Sequence, residues 1–187
     1  SANLDVAHQH PDLYTELHGQ RARLNDNFEI VGYSFVPITP FAIKDWEKFD
    51  LTNCSQEIAV RYHQRKRSNY GLDMGIRSSK DLSWVRFDFL ERDEAVDSIQ
   101  RDLQSEIYTQ NPQRTVYVFH SPPNDTNLDI LHDGQHVGSF AISEFIRKHQ
   151  PYLTLHGHIH ETVDVSNGQF RVQTGKTTSM SAGNHNE

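Results

Sequence analysis

The stretch that most constrains the fold joins "TVYVF" (Thr115–Phe119) through "GSFAISEFIRKHQP" to "YLTL". A short β-branched and aromatic run reads as a buried strand. In the second segment Ser139 is placed to N-cap a helix, with Ile142, Phe145, Ile146 and His149 along one face and Pro151 as the stop. A strand, a helix and a strand in this order join as a crossover that lays the two strands side by side and parallel. The first strand delivers His120 into "SPPND", which no regular element continues through, and the second runs into "HGHIHE". The chain is therefore expected to be α/β, with histidines at strand exits, where open sheets place their binding sites.

Other segments fit around this unit. "FEIVGYSFVPITP", from Phe28, predicts a strand leading into a loop at Pro37 and Pro40. Residues 41–90 read as loop-rich, with short strands near Trp84 to Phe89. Between residues 93 and 109, Val96, Ile99, Leu103 and Ile107 recur at spacings of three and four, predicting one amphipathic helix ended by Asn111-Pro112. "TVDVSNGQFRVQ" alternates around Asn-Gly and predicts a hairpin there. At 187 residues the chain is the size of one domain.

Composition narrows the function. With 25 acidic and 18 basic residues the net charge is -7, which argues against a general nucleic-acid binder. The basic cluster "RYHQRKR", residues 61–67, reads as a solvated surface. Cys54 stands alone, so neither an intrachain disulfide nor a cysteine-based zinc knuckle is available. No apolar run approaches a membrane span and the first residues carry no signal-peptide pattern, so the expected location is cytoplasmic with no membrane partner. Oligomeric state is not legible.

Twelve histidines in 187 residues yield roughly one His-x-His pair by chance, and the chain has three. His8 and His10 read as an exposed N-terminal segment. "GHIH" is a better candidate, because Gly157 allows the backbone to turn or approach an ion, while His158 and His160 leave one strand exit together. The crossover brings His120 to face them. On the residues alone, His120 is either a ligand or a strand-end histidine bonded to a neighbouring backbone group. A mononuclear three-histidine zinc site with water in the fourth position is a further alternative.

"TVYVFHSPPNDTNLD", "GQHVGSFAISEFIRKHQPYLTLHGHIHE" and "FVPITPFAIKDWEKFD" resemble the C-terminal part of the calcineurin-like metallophosphoesterases, nearest to the Icc-related bacterial branch. The resemblance implies a share of a four-layer α/β/β/α sandwich and hydrolysis of a phosphomonoester or phosphodiester substrate at a binuclear centre. The two divalent ions, manganese, iron or zinc, stand about 4 Å apart. His120 resembles the family's lone metal-binding histidine and His158 the first of its Gly-His-x-His motif, both on one metal; His160 resembles the second, on the other metal. His156 matches no ligand and reads either as a residue around the ligands, with Gly157 and Ser121, or simply as loop.

The family's N-terminal motifs, Asp-x-His, Gly-Asp-x-x-Asp and Gly-Asn-His, are not found before His120. "AGNHNE" at the C-terminus stands in the wrong order for the third of them; following "GKTTSMSAG", its position resembles instead the family's Asn-Pro-Gly segment, here Ser-Ala-Gly. The 187 residues are thus expected to be one domain incomplete at its N-terminal side, with no identifiable catalytic residue, weak metal binding and little or no hydrolysis. The alternative is a non-catalytic scaffold or binding module on the same fold.

Overall fold

The structure, a computed structural model, describes residues 9–10, 12–53, 74–79, 81, 83–91 and 97–183. Cys54, His8, Val96, the basic cluster at 61–67 and His185 lie outside them.

A six-stranded sheet dominates. Its strands are β1 (Arg21–Arg23), β2 (Glu29–Tyr33), β7 (Thr115–Phe119), β8 (Leu153–His156), β9 (Arg171–Thr174) and β10 (Thr177–Ser181), ordered β1-β2-β7-β8-β10-β9. The four central strands run parallel, and β1 and β9 pair antiparallel at the edges. Two short pairs lie apart from it: β3 (Val36–Pro37) with β4 (Glu47–Lys48), and β5 (Met74–Ser78) with β6 (Trp84–Asp88). The protein is thus α/β, and β6 occupies the place expected for a strand near Trp84.

Register decides which side chains share a face. Val31 pairs with Tyr117 and Tyr33 with Phe119, so these four point together into the main core. Helix α3 (Phe140–His149) covers that face through Ala141, Ile142, Phe145 and Ile146. The Phe145 ring lies 5.2 Å from Tyr117 and 5.8 Å from Phe119. Ser139 caps α3 as expected, its hydroxyl accepting from the Ile142 amide at 3.0 Å. Fully buried Asp50 completes the helix start, accepting from the Ser139 hydroxyl at 2.5 Å and from the Phe140 amide at 2.6 Å. On the opposite face Ile30, Val118, Leu155 and Met180 remain half-buried.

Two local expectations are corrected. The single helix expected over residues 93–109 is, in its described part, two helices, α1 (Ile99–Asp102) and α2 (Glu106–Thr109). Ser105 adopts extended backbone between them, and the tightened bonds Gln104 N to Arg101 O and Ser105 N to Asp102 O close off the first. The apolar spacing persists, with Ile99 and Leu103 buried and Ile107 packed against the same cluster. Asn111, at φ 46°, then breaks the chain before Pro112.

The Asn-Gly hairpin is also replaced. Residues Thr162–Val165 form helix α4 rather than a strand, and the Gly168 amide donates back to Val163 O at 2.8 Å. Asn167 and Gly168 have the positive φ values of a primed turn, 57° and 81°, but here they terminate a helix, the other setting that uses left-handed residues. The hairpin lies further on, β9 to β10, around Gly175-Lys176 with Gly175 at φ 60°.

Candidate metal centre

The crossover places two histidines side by side. β7 and β8 are parallel neighbours, so His120, one residue past Phe119, reaches the same sheet end as Gly157 and His158. The Gly157 amide donates to the His120 carbonyl at 3.1 Å, tying the two exits together. The rings of His120 and His158 stand 5.1 Å apart at 65°. Burial depresses the His158 pKa to about 4, helped by the His120 and His160 imidazoles; His120, though exposed at the sheet end, is also lowered by partial burial, with His160 adding to it. Both are therefore neutral at pH 7, the form in which imidazole donates a lone pair to a metal.

The backbone carries strain at one of them. His158 has φ 69°, and the Ile159 amide donates across it to Gly157 O at 2.8 Å, closing a three-residue turn. A γ-turn of this hand is rare, and such conformations cost of order 1–3 kcal/mol. The turn expected of Gly157 is thus made by His158, since Gly157 is not among the positive-φ residues. A Cβ at Gly157 would stand 3.6 Å from His120 Nδ1, an ordinary contact, so neither φ nor space requires glycine there.

His160 is exposed two residues before α4, and its proximity helps to lower the pKa of both other imidazoles. Gly183, in the Ser-Ala-Gly segment after β10, packs against this loop, where a Cβ would meet Val163 Cγ2 at 2.6 Å and His160 O at 3.3 Å.

His156 is different. It is buried, its Nδ1 is 2.9 Å from the Ser121 carbonyl and its Nε2 is 2.8 Å from Thr154 Oγ1. With both nitrogens in hydrogen bonds it has none free for an ion. Ser121 is buried beside it.

The donor set falls short of a binuclear centre. Among the described residues, no three His, Cys, Asp or Glu side chains converge closely enough to hold an ion. Two facing neutral imidazoles fit two positions on one metal, but among the described residues no carboxylate joins them to bridge a second. The residues present therefore do not fit a complete two-metal site.

An open cleft of about 560 Å³ adjoins His120, lined among others by Tyr33, Ser34, Trp46, Leu155 and Gly157. Trp46 had no signal in the sequence, because residues 41–90 show no periodicity that assigns it a face. No family model and no curated protein matches the chain. A solved crystal structure is similar in fold, with TM-score 0.51 at 15% identity; the match covers 97% of this chain and 51% of the other. The chain thus spans about half the length of that neighbour. Among the described residues no helix is long and apolar enough to cross a membrane.

Proposed function

We propose that the chain is the C-terminal portion of a metal-dependent phosphoesterase, supplying His120, His158 and His160 to a binuclear centre completed by carboxylates from preceding polypeptide. One observation carries this reading: His120 and His158 face each other at 5.1 Å across adjacent parallel strand ends, with His158 held in a strained turn. Strain of this kind clusters at functional sites. A two-metal centre would stabilise the attacking and leaving oxygens of a phosphate ester. The part of His120 and His158 is to present neutral imidazoles at one sheet end, and the bridging carboxylate falls to the preceding polypeptide.

The four-layer sandwich belongs to the same proposal. The half-buried Ile30, Val118, Leu155 and Met180 form the sheet face that a second sheet would cover. A neighbour of which this chain spans 51% has polypeptide to build one. The absence of a converging carboxylate among the described residues favours the second reading, a non-catalytic scaffold on the same fold.

Two measurements decide. In a zinc or manganese titration of the 187-residue chain, weak binding is expected, lowered tenfold or more by His120→Ala or His158→Ala; unchanged affinity in both variants sinks the ligand assignment. The gene upstream of Ser1 is then read and the longer protein assayed on a phosphodiester. Asp-x-His and Gly-Asp-x-x-Asp upstream with metal-dependent turnover support the enzyme, and a start codon at Ser1 supports the scaffold. The isolated chain turning over at about 1 s⁻¹ or faster, an ordinary enzyme rate, overturns the half-site reading.

A further inference from the structure

Asn167-Gly168 ends a helix rather than turning a hairpin, and the proposed chemistry does not use it. It is the one Asn-Gly pair in the 187 residues. Such a pair has a reactivity of its own. The Gly168 nitrogen can attack Asn167 Cγ, forming a new C–N bond and closing a five-membered succinimide ring. The bond from Cγ to Nδ2 breaks, and the side-chain nitrogen leaves as ammonia with the proton given up by Gly168. Water then opens the ring at either carbonyl, leaving aspartate or isoaspartate. Glycine allows the closest approach, because no Cβ crowds the attacking nitrogen.

In the fold that nitrogen is engaged. Its N–H donates to Val163 O at 2.8 Å, and the Asn167 amide donates to Asp164 O at 3.3 Å. Attack requires Gly168 to lose its proton and turn toward Cγ, so the bond to Val163 has to break first. Both residues are exposed, and a Cβ at Gly168 would meet nothing within 4 Å. The restraint on the reaction is therefore the helix cap and not burial. Neighbours brace the cap: the Ser166 hydroxyl lies 2.9 Å from Gln169 O and 3.3 Å from Val163 O, and Thr162 Oγ1 donates to Asn127 O at 2.8 Å.

We propose that Asn167 is a site of spontaneous deamidation gated by the cap of α4, reacting only in molecules whose Gly168 amide has left Val163 O. Local opening, which needs far less free energy than global unfolding, sets the rate. Isoaspartate adds a methylene to the main chain between residues 167 and 168 and so carries the Gly168 amide away from Val163 O. The reaction thus removes its own gate. It loosens a helix that begins two residues after His160. Neither the histidines nor a metal takes part.

The test follows the amide-to-acid mass change of the Asn167 peptide over time in the folded chain, in the chain unfolded in urea, and in the synthetic peptide TVDVSNGQF. The folded chain is expected to deamidate about tenfold or more slowly than the peptide, and the unfolded chain at the peptide's rate. Hydrogen exchange at the Gly168 amide reads the same opening, so the slowing should be at least as large as the protection there. Ser166→Ala, which removes one brace, is expected to raise both rates about fivefold, the effect of one such hydrogen bond. A folded chain as fast as the peptide, a slowing smaller than the protection, or unchanged rates in Ser166→Ala overturns the gate. An unfolded chain and peptide that do not deamidate overturn the site itself. Asn167→Asp, with a normal main chain, should keep Gly168 protected, whereas the isoaspartate form separated by chromatography should lose that protection. Equal protection in the two overturns the claim that the reaction removes its own gate.

Discussion

Glu47→Ala is expected to destabilise the chain by about 3–5 kcal/mol, the usual cost of leaving one partner of a buried ion pair alone. Lys44 is fully buried and Glu47 is 4% exposed, with Nζ and Oε2 2.9 Å apart. Lys44 Nζ also donates to Thr39 O at 2.6 Å, while Glu47 accepts from the Thr39 amide at 2.9 Å and from the Thr39 hydroxyl. Burial nevertheless raises the Glu47 pKa from its ordinary value, against the pull of Thr39 and Lys44. Removing both charges of a buried pair is far milder than removing one, because neither is then left alone. Lys44→Met with Glu47→Leu is expected to lie within about 1–2 kcal/mol of the parent. Urea denaturation of the three chains measures this, and a loss below about 1 kcal/mol in Glu47→Ala would show that the pair is not isolated from water. The loss should spread to the β5–β6 pair, because Arg77 donates to Lys44 O and Glu47 O, both at 2.7 Å, with its guanidinium 3.6 Å over Phe87.

The same pair shows why part of the fold was not legible beforehand. Charged residues read as surface, so Lys44 and Glu47 carried no signal for a buried turn, and the segment around them looked like loop. β7, α3 and β8 were legible because their apolar patterns, the Ser139 cap and Pro151 all point to one arrangement. The pattern of the broken helix was legible as burial, with Ile99 and Leu103 inside, but its continuity was not, because Ser105 can either continue a helix or start a new one. Asn167-Gly168 failed for a related reason: positive φ is a local property, and the residues around it decide whether it closes a hairpin or a helix. In the candidate site, the meeting of His120 and His158 followed from the crossover alone. The hydrogen bond of His156 to Ser121 did not, because the partner is a backbone carbonyl that every residue type carries. The turn at His158 was missed as well, since glycine was the obvious residue to bear it.

Acid should destabilise the metal-free chain, and His156 sets the sign. Burial holds its folded pKa near 4, although the Ser121 carbonyl pulls the other way, whereas an unfolded histidine titrates at about 6.5. Between those values the unfolded chain binds the extra proton, so stability is complete above about pH 6.5 and falls as pH drops toward 4. A difference of about 2.5 units corresponds to about 3 kcal/mol from this one residue. His158, also near 4, acts in the same direction, with a smaller contribution because solvent reaches it. Denaturant titrations at about pH 7.5, 6, 5 and 4.5 with a chelator present should show this decline for the parent. His156→Asn, which cannot titrate, should lose about 2.5 kcal/mol less over the same range, since pH 4.5 lies short of the folded value. Parallel slopes for the two chains would mean that the His156 ring takes up its proton in the folded state at an ordinary pH. Burial would then not hold it neutral.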